Sequence, residues 1–254
     1  MSDRLIELTR EGPLALLTIQ REDKLNALTA EMVDELFELC RTIDKSDAQV
    51  VIITGSGKAF CAGGDIEAWS AREPQDFARR WIRDGHDAFD ALTRLRQPVI
   101  AVLNGHALGG GLELAVCADY RIVEEQVKFG QPEAGLGIIA GWSGTQRAVR
   151  RFGAQTVRRM SVFGELFTAE QAIELRLADQ LVPKGEGLEA GRALAQKVLM
   201  RAETANELSK MLINAAEGEE RERVLEALGG WIASGSEELR EGLSAFREKR
   251  KPKF

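Results

Sequence analysis

The segment with the most chemical potential reads NGHALGGGLELA, from Asn104 to Ala115. Its four glycines let a ligand approach the backbone, and the N–H groups of a helix's first turn have no acceptor of their own. Together with the helix dipole they favour a negative charge developing beside them. One carboxylate, Glu113, stands between Leu112 and Leu114 in the same apolar run. Burying it ionised is costly, so burial would raise its pKa and suit it to proton transfer. The alternative is a glutamate paired with an arginine across the core or turned to solvent, and this segment alone does not choose between them. A second glycine-rich loop, AFCAGGDI from Ala59 to Ile66, also follows an apolar strand and offers backbone amides. By itself it fits a tight strand-to-helix connection equally well. A third segment, KFGQPE from Lys128, sets Glu133 just behind Pro132, where a surface loop is the simpler reading.

Several elements must hold these loops. Residues 5–19 read as two short strands around Glu11-Gly12-Pro13. Met32, Val33, Leu36, Phe37, Leu39, Cys40 and Ile43 fall at helical spacing behind Thr29, a suitable N-cap. Residues 50–55 and 98–104 are apolar at nearly every position, the mark of strands covered on both faces. Between them the pattern predicts a glycine-rich loop at 55–65 and one long helix over 74–96. The alternation of strand and helix points to an α/β layer architecture. From about Leu188 only helical patterning remains, so the expected division is a core over 1–190 and a helical unit over 191–254.

Composition narrows the chemistry. Among 254 residues, 34 Lys+Arg stand against 40 Asp+Glu, a net charge of −6, which disfavours duplex nucleic acid as the main partner. Two histidines, His86 and His106, and three widely spaced cysteines make neither a zinc spacing nor a disulfide framework, so no metal is expected and carboxylates are left to carry acid–base work. His86 reads as a packing residue beside Phe77, Ile82 and Phe89. Gly57-Lys58 fails as a phosphate loop, because Ile52 and Ala59 replace the required Gly and Ser/Thr. Gly135-x-Gly137-x-x-Ala140 follows no strong strand, so it is not a dinucleotide fingerprint. No secretory or membrane-spanning run is evident, and a cytoplasmic protein is expected.

Taken in order, Asn26-Ala27-Leu28, AFCAGGDI at 59–66, PVIAVLNGHALGGGLELAVCAD at 98–119, FGQPEAGLG at 129–137, GTQR at 144–147 and EGLSAFREKRKPKF at 241–254 resemble the crotonase superfamily, the enoyl-CoA hydratase/isomerase family. The resemblance spans nearly the whole chain. It implies a ClpP-like spiral of ββα units with a C-terminal helical trimerisation region, and a homotrimer or dimer of trimers. It places Gly64 and Gly110 as oxyanion-hole amides, and Glu113 and Glu133 as the two carboxylates that share a water in hydratases. Coenzyme A, part of the substrate rather than a separate cofactor, is expected near Lys24, Leu25, Asn26, Ala27 and Ala62, with Asp65 and Ile66 following. Phe246 and Lys249 match terminal positions that reach a neighbouring subunit's CoA, in a segment (Ala245 to Phe254) whose side chains carry five positive charges and one negative.

The reaction implied is hydration of a short- or medium-chain 2-enoyl-CoA to a 3-hydroxyacyl-CoA. The alternatives are Δ3-Δ2 isomerisation, hydration of a specialised enoyl-CoA such as a methylglutaconyl or sulfur-bearing one, or a CoA- or RNA-binding scaffold. The paired glutamates favour the hydratase, since family isomerases usually keep an acid only at the Glu133 position. The chain departs from the common family pattern at Ala140, Trp142, Ser143 and Arg176, replacing proline, a small residue and two glycines. Trp142 is thereby placed in the acyl pocket.

Overall fold

A computed structural model describes residues 5–254. The unbroken apolar strand β3 (Val50–Gly55) shows how its layers arise, because all six residues are buried. Val51 and Ile53 point into one core while Val50 and Ile52 point into another on the opposite face. Burial of both faces is what a parallel strand between two layers requires. β1 (Ile6–Glu11) and β2 (Leu14–Ile19) form the expected hairpin, and β2 adds parallel to β3.

The chain then repeats a simple turn. β3, β5 (Val99–Leu103) and β7 (Tyr120–Glu124) join one sheet, while β4 (Ala59–Cys61), β6 (His106–Leu108) and β8 (Lys128–Gly130) join a second. Helical segments close each turn: α2 (Ile66–Trp69), α3 (Pro74–Asp76) and α4 (Arg83–Thr93) after β4, α5 (Gly110–Val116) after β6, and α6 (Gln146–Phe152) and α7 (Ala154–Ser161) after β8. β9 (Phe167–Thr168), α8 (Ala169–Glu174) and β10 (Gln180–Val182) complete sheets ordered β1-β2-β3-β5-β7-β10 and β4-β6-β8-β9. This is the spiral of ββα units that the family resemblance implies. The short strands β4 and β6 were hidden in glycine-rich stretches too brief to show alternation.

Helix α1 (Ala30–Asp44) starts where expected, with the Thr29 side chain accepting from Met32 N. The long helix predicted over 74–96 is interrupted: a π-helical turn, Phe77–Ile82, separates α3 from α4. Across that wider turn Trp81 is buried while Arg79 and Arg80 stay in solvent. α9 (Gly187–Leu199) covers the outer face of the six-stranded sheet. A Cβ at Gly191 would lie 2.7 Å from Val102 Cγ2, so the helix axis approaches more closely than a side chain allows.

The chain divides into units at Met1–Glu207 and Leu208–Phe254, the division falling within α10 (Glu203–Ala216). The boundary expected near 190 instead lies inside α9, which belongs to the first unit because Ala195, Leu194 and Val198 pack on the sheet. The second unit carries α11 (Arg221–Ser234) and α12 (Glu237–Arg247).

Gly111 sets how near α5 comes to β4, since a Cβ there would meet Cys61 O at 1.9 Å. Gly111→Ala must push helix from strand, an overpacking cost of about 1–3 kcal/mol. Scanning calorimetry should find its Tm lower by about 2–12 °C.

Candidate active site

β4, β6 and β8 lie side by side and parallel, so the segments leaving their carboxyl ends emerge together. Those segments are the three singled out from sequence: 62–65, Gly109–Gly110 and 131–133. Ligands of open parallel sheets gather at such carboxyl ends. A cleft of about 120 Å³ opens there, lined by Gly64, Gly110, Glu113, Glu133 and Trp142 among others.

Gly109, at φ 53° and ψ −125°, adopts a conformation only glycine takes readily and turns β6 into α5. The next N–H, of Gly110, and that of Gly64 are close neighbours: a Cβ on Gly110 would lie 3.2 Å from Gly64 N. The main-chain hydrogen bonds of the two loops run through Gly109 N to Gly130 O, Glu113 N to Gly109 O, and Asp65 N to Leu28 O. They leave Gly64 N and Gly110 N without an acceptor among the described residues.

Glu113 is 3% exposed. Its Oε1 accepts from both Trp142 N and Gly144 N, each at 2.6 Å. Burial pushes its pKa up to about 7, against the lowering effect of those amides and with help from the nearby charge of Glu133. The carboxyl of Glu133 is raised by burial as well. Both Glu133 oxygens are shielded from solvent and have no hydrogen-bond partner. Among the described residues neither glutamate is paired with an arginine, and both line the cleft.

The loop holding Glu113 is itself held. Gln131, buried, donates to Gly144 O at 2.7 Å and accepts from Ser161 Oγ. Ser143 takes φ 71°, a left-handed conformation costing a non-glycine residue roughly 1–2 kcal/mol. His86 Nδ1 lies 3.4 Å from its hydroxyl. His106 accepts from Lys128 N and lines another depression, with Lys58 and Lys184. Cys61 is buried with its thiol pushed up to about 12, so it packs rather than attacks.

Residues 24–28 sit against the 62–65 loop: Ala62 N donates to Leu25 O and Leu28 N to Gly63 O. Ala62 and Ile66 line the cleft. Lys24 Nζ lies 3.4 Å from Glu67 Oε2, and Leu25 is exposed. Asn26 is fully buried and supports the backbone: it accepts from Arg21 N and donates to Ser56 O and Ala59 O. Asp65 is also committed, to Arg21 at 2.6 Å and to Glu67 N at the start of α2. Arg21, which also donates to Ala27 O, escaped sequence reasoning because its partner is 44 positions away. Gly85 was missed too, although a lone glycine inside a predicted helix is a signal of close packing. Phe246 and Lys249 lie in the second unit, Phe246 exposed on α12. One of the terminal positive charges is offset there, since Arg250 is paired with Glu241 and Glu248.

No group of three or more metal-ligating side chains occurs among the described residues, and no helix there is long and apolar enough to cross a membrane. Because burial raises Glu113 above its unfolded value of 4.5, the folded protein loses stability as pH climbs from about 4.5 to about 7. The loss is on the order of 3 kcal/mol. Glu113→Gln should therefore raise Tm at pH 8 and by much less at pH 5; an equal shift at both would contradict the burial argument.

The arrangement can bind a polarised oxygen at two amides and move protons between two carboxylates. A family model described as enoyl-CoA hydratase/isomerase matches residues 9–254. The chain is 36% identical to the crotonyl-CoA hydratase of Syntrophomonas wolfei, over 98% of this chain and 97% of that protein. It is 35% identical to the short-chain-enoyl-CoA hydratase of Clostridium acetobutylicum, over 96% and 95%. Among solved structures, the enoyl-CoA hydratase of Bacillus anthracis superposes with a TM-score of 0.80 at 30% identity, covering 98% of both chains. DspI of Pseudomonas aeruginosa does so with 0.80 at 33%, covering 98% and 96%. With its two-sheet spiral and a match over nearly its whole length, the chain belongs to the crotonase superfamily, the enoyl-CoA hydratase/isomerase family.

Proposed function

We propose that the protein is an enoyl-CoA hydratase, adding water across the 2,3 double bond of a 2-enoyl-CoA to give the 3-hydroxyacyl-CoA. The observation that carries this is one cleft presenting two free main-chain N–H groups opposite two carboxyls of raised pKa. Gly64 N and Gly110 N receive the thioester oxygen and strengthen their hold as it becomes enolate-like. Each such donor is worth ~10²–10³ in rate. Glu113, ionised and anchored through Oε1, takes a proton from water as the water oxygen bonds to carbon 3. Glu133, in the protonated form that burial favours, releases its proton to carbon 2. The acceptor is left protonated and the donor ionised, and exchange with solvent restores both after release.

Burial raises both carboxyls, Glu113 to about 7, and so brings the pair toward the neutral range in which general acid–base help is most effective. Coenzyme A is held mainly by main-chain groups of 24–27 and 62–66, where Arg21 and Asp65 brace the loop. Phe246 and Lys249 serve a neighbouring subunit's CoA. The assembly we infer is a homotrimer or a dimer of trimers. Its support is the apolar surface exposed by α10 to α12, including Leu212, Ile213, Trp231, Ile232 and Leu243.

Loss of conjugated thioester absorbance with a 2-enoyl-CoA measures the reaction. Glu113→Gln and Glu133→Gln should each cut hydration ~10²–10⁴-fold while sparing CoA binding. Near-normal turnover in either variant would sink the two-carboxylate mechanism. Isomerisation surviving in Glu113→Gln without hydration would favour the double-bond isomerase. In the wild type, kcat/KM for hydration should rise with pH through about 7 as Glu113 ionises.

A further inference from the structure

Trp142 is fixed on three sides. Its Nε1 donates to Trp81 O at 2.9 Å. Its ring lies 4.9 Å from that of Trp81 and 5.0 Å from that of Phe89, both tilted contacts. It rests on Gly85 of α4, where a Cβ would fall 1.9 Å from Nε1. With 2% exposure, the side chain has no room to swing away. Its far edge packs on the side-chain side of Gly110 and Gly64, the residues whose amides serve the thioester oxygen: a Cβ on Gly110 would lie 2.8 Å from Cζ3, and one on Gly64 3.5 Å from Cη2. Its own N–H holds Glu113.

An acyl group whose carbonyl oxygen lies at Gly64 and Gly110, with carbons 2 and 3 toward the glutamates, therefore meets the indole directly. Trp81, stacked on it, continues the wall. Trp81 also lines a separate cavity, walled by Asp34, Arg72, Arg80 and Asp84. Those charged side chains make that space a poor receptacle for an aliphatic tail. On this side the apolar lining therefore ends at the Trp81–Trp142 pair, while Phe77, Ile82, Ile138 and Ile139 line the remainder of the cleft.

We propose that Trp142 is the specificity-determining residue that limits acyl length, confining the enzyme to compact enoyl groups of butenoyl size. The inference rests on the hydratase reading and adds to it the class of acyl group accepted. Its test compares kcat/KM on butenoyl-, hexenoyl- and decenoyl-CoA for wild type, Trp142→Ala and Trp142→Phe. The wild type should favour butenoyl over decenoyl by about tenfold or more, and Trp142→Ala should shift that ratio toward decenoyl by about tenfold or more, chiefly through KM for the long substrate. Trp142→Phe should move it the same way by less, and stands in should the alanine variant not fold.

The ratio separates a wall from a scaffold. A variant that merely misplaces Glu113 slows all three substrates alike, and an unchanged ratio overturns the proposal. Equal wild-type rates on butenoyl and decenoyl overturn it as well, while leaving hydration intact. Should the wild type hydrate none of them, the hydratase reading falls. Calorimetric binding of butyryl- and decanoyl-CoA then decides for the wall, expected to show decanoyl affinity gained by Trp142→Ala, and against it if neither affinity moves.

Discussion

Everything near the cleft answers to one constraint: a carboxylate has been taken out of water at the start of a short helix. Leu112 and Leu114 draw α5 into the core, and Glu113 is carried in with them. Main-chain amides of Trp142, Gly144 and Gly141 compensate part of the lost hydration, enough to keep the ionised form accessible but not to restore the ordinary acidity. The loop 141–144 is therefore as much a part of the chemistry as the glutamate, and Gln131 and the strained Ser143 exist to keep its N–H groups aimed.

The spiral explains why residues from three distant stretches serve one cleft. Each turn contributes one short strand to the four-stranded sheet, and neighbouring turns deliver neighbouring strands running the same way. Whatever follows each strand is brought to one edge without any long excursion of the chain. Rigid cores on both faces of the larger sheet fix that edge, so the two amides are oriented before a substrate arrives.

What could be read from the sequence follows from the range of the forces involved. Strong periodicity showed α1, and continuous apolar runs showed β3 and β5, because burial of a whole face leaves a local pattern. The glycine loops and the glutamates stood out because only a few residue types permit close approach or carry protons. By contrast, the tie between Arg21 and Asp65 joins residues with no local relation, and the buried side chain of Asn26 acts on carbonyls thirty positions ahead. The π-helical turn and the end of the first unit inside α10 depend on packing partners that no window of sequence contains. Paired carboxylates were visible as candidates, but their separation from every counter-ion was not.

The space above Gly85, filled by the indole of Trp142, ties the two positions together. An indole at position 142 and any side chain at position 85 exclude each other, since they would occupy the same volume. The two sites cannot be exchanged independently among relatives: a tryptophan can enter only on a background that already holds glycine, and the glycine cannot afterwards be lost while the tryptophan stays. A helix-weakening residue in α4, tolerable by itself, is thus required for as long as the tryptophan is kept.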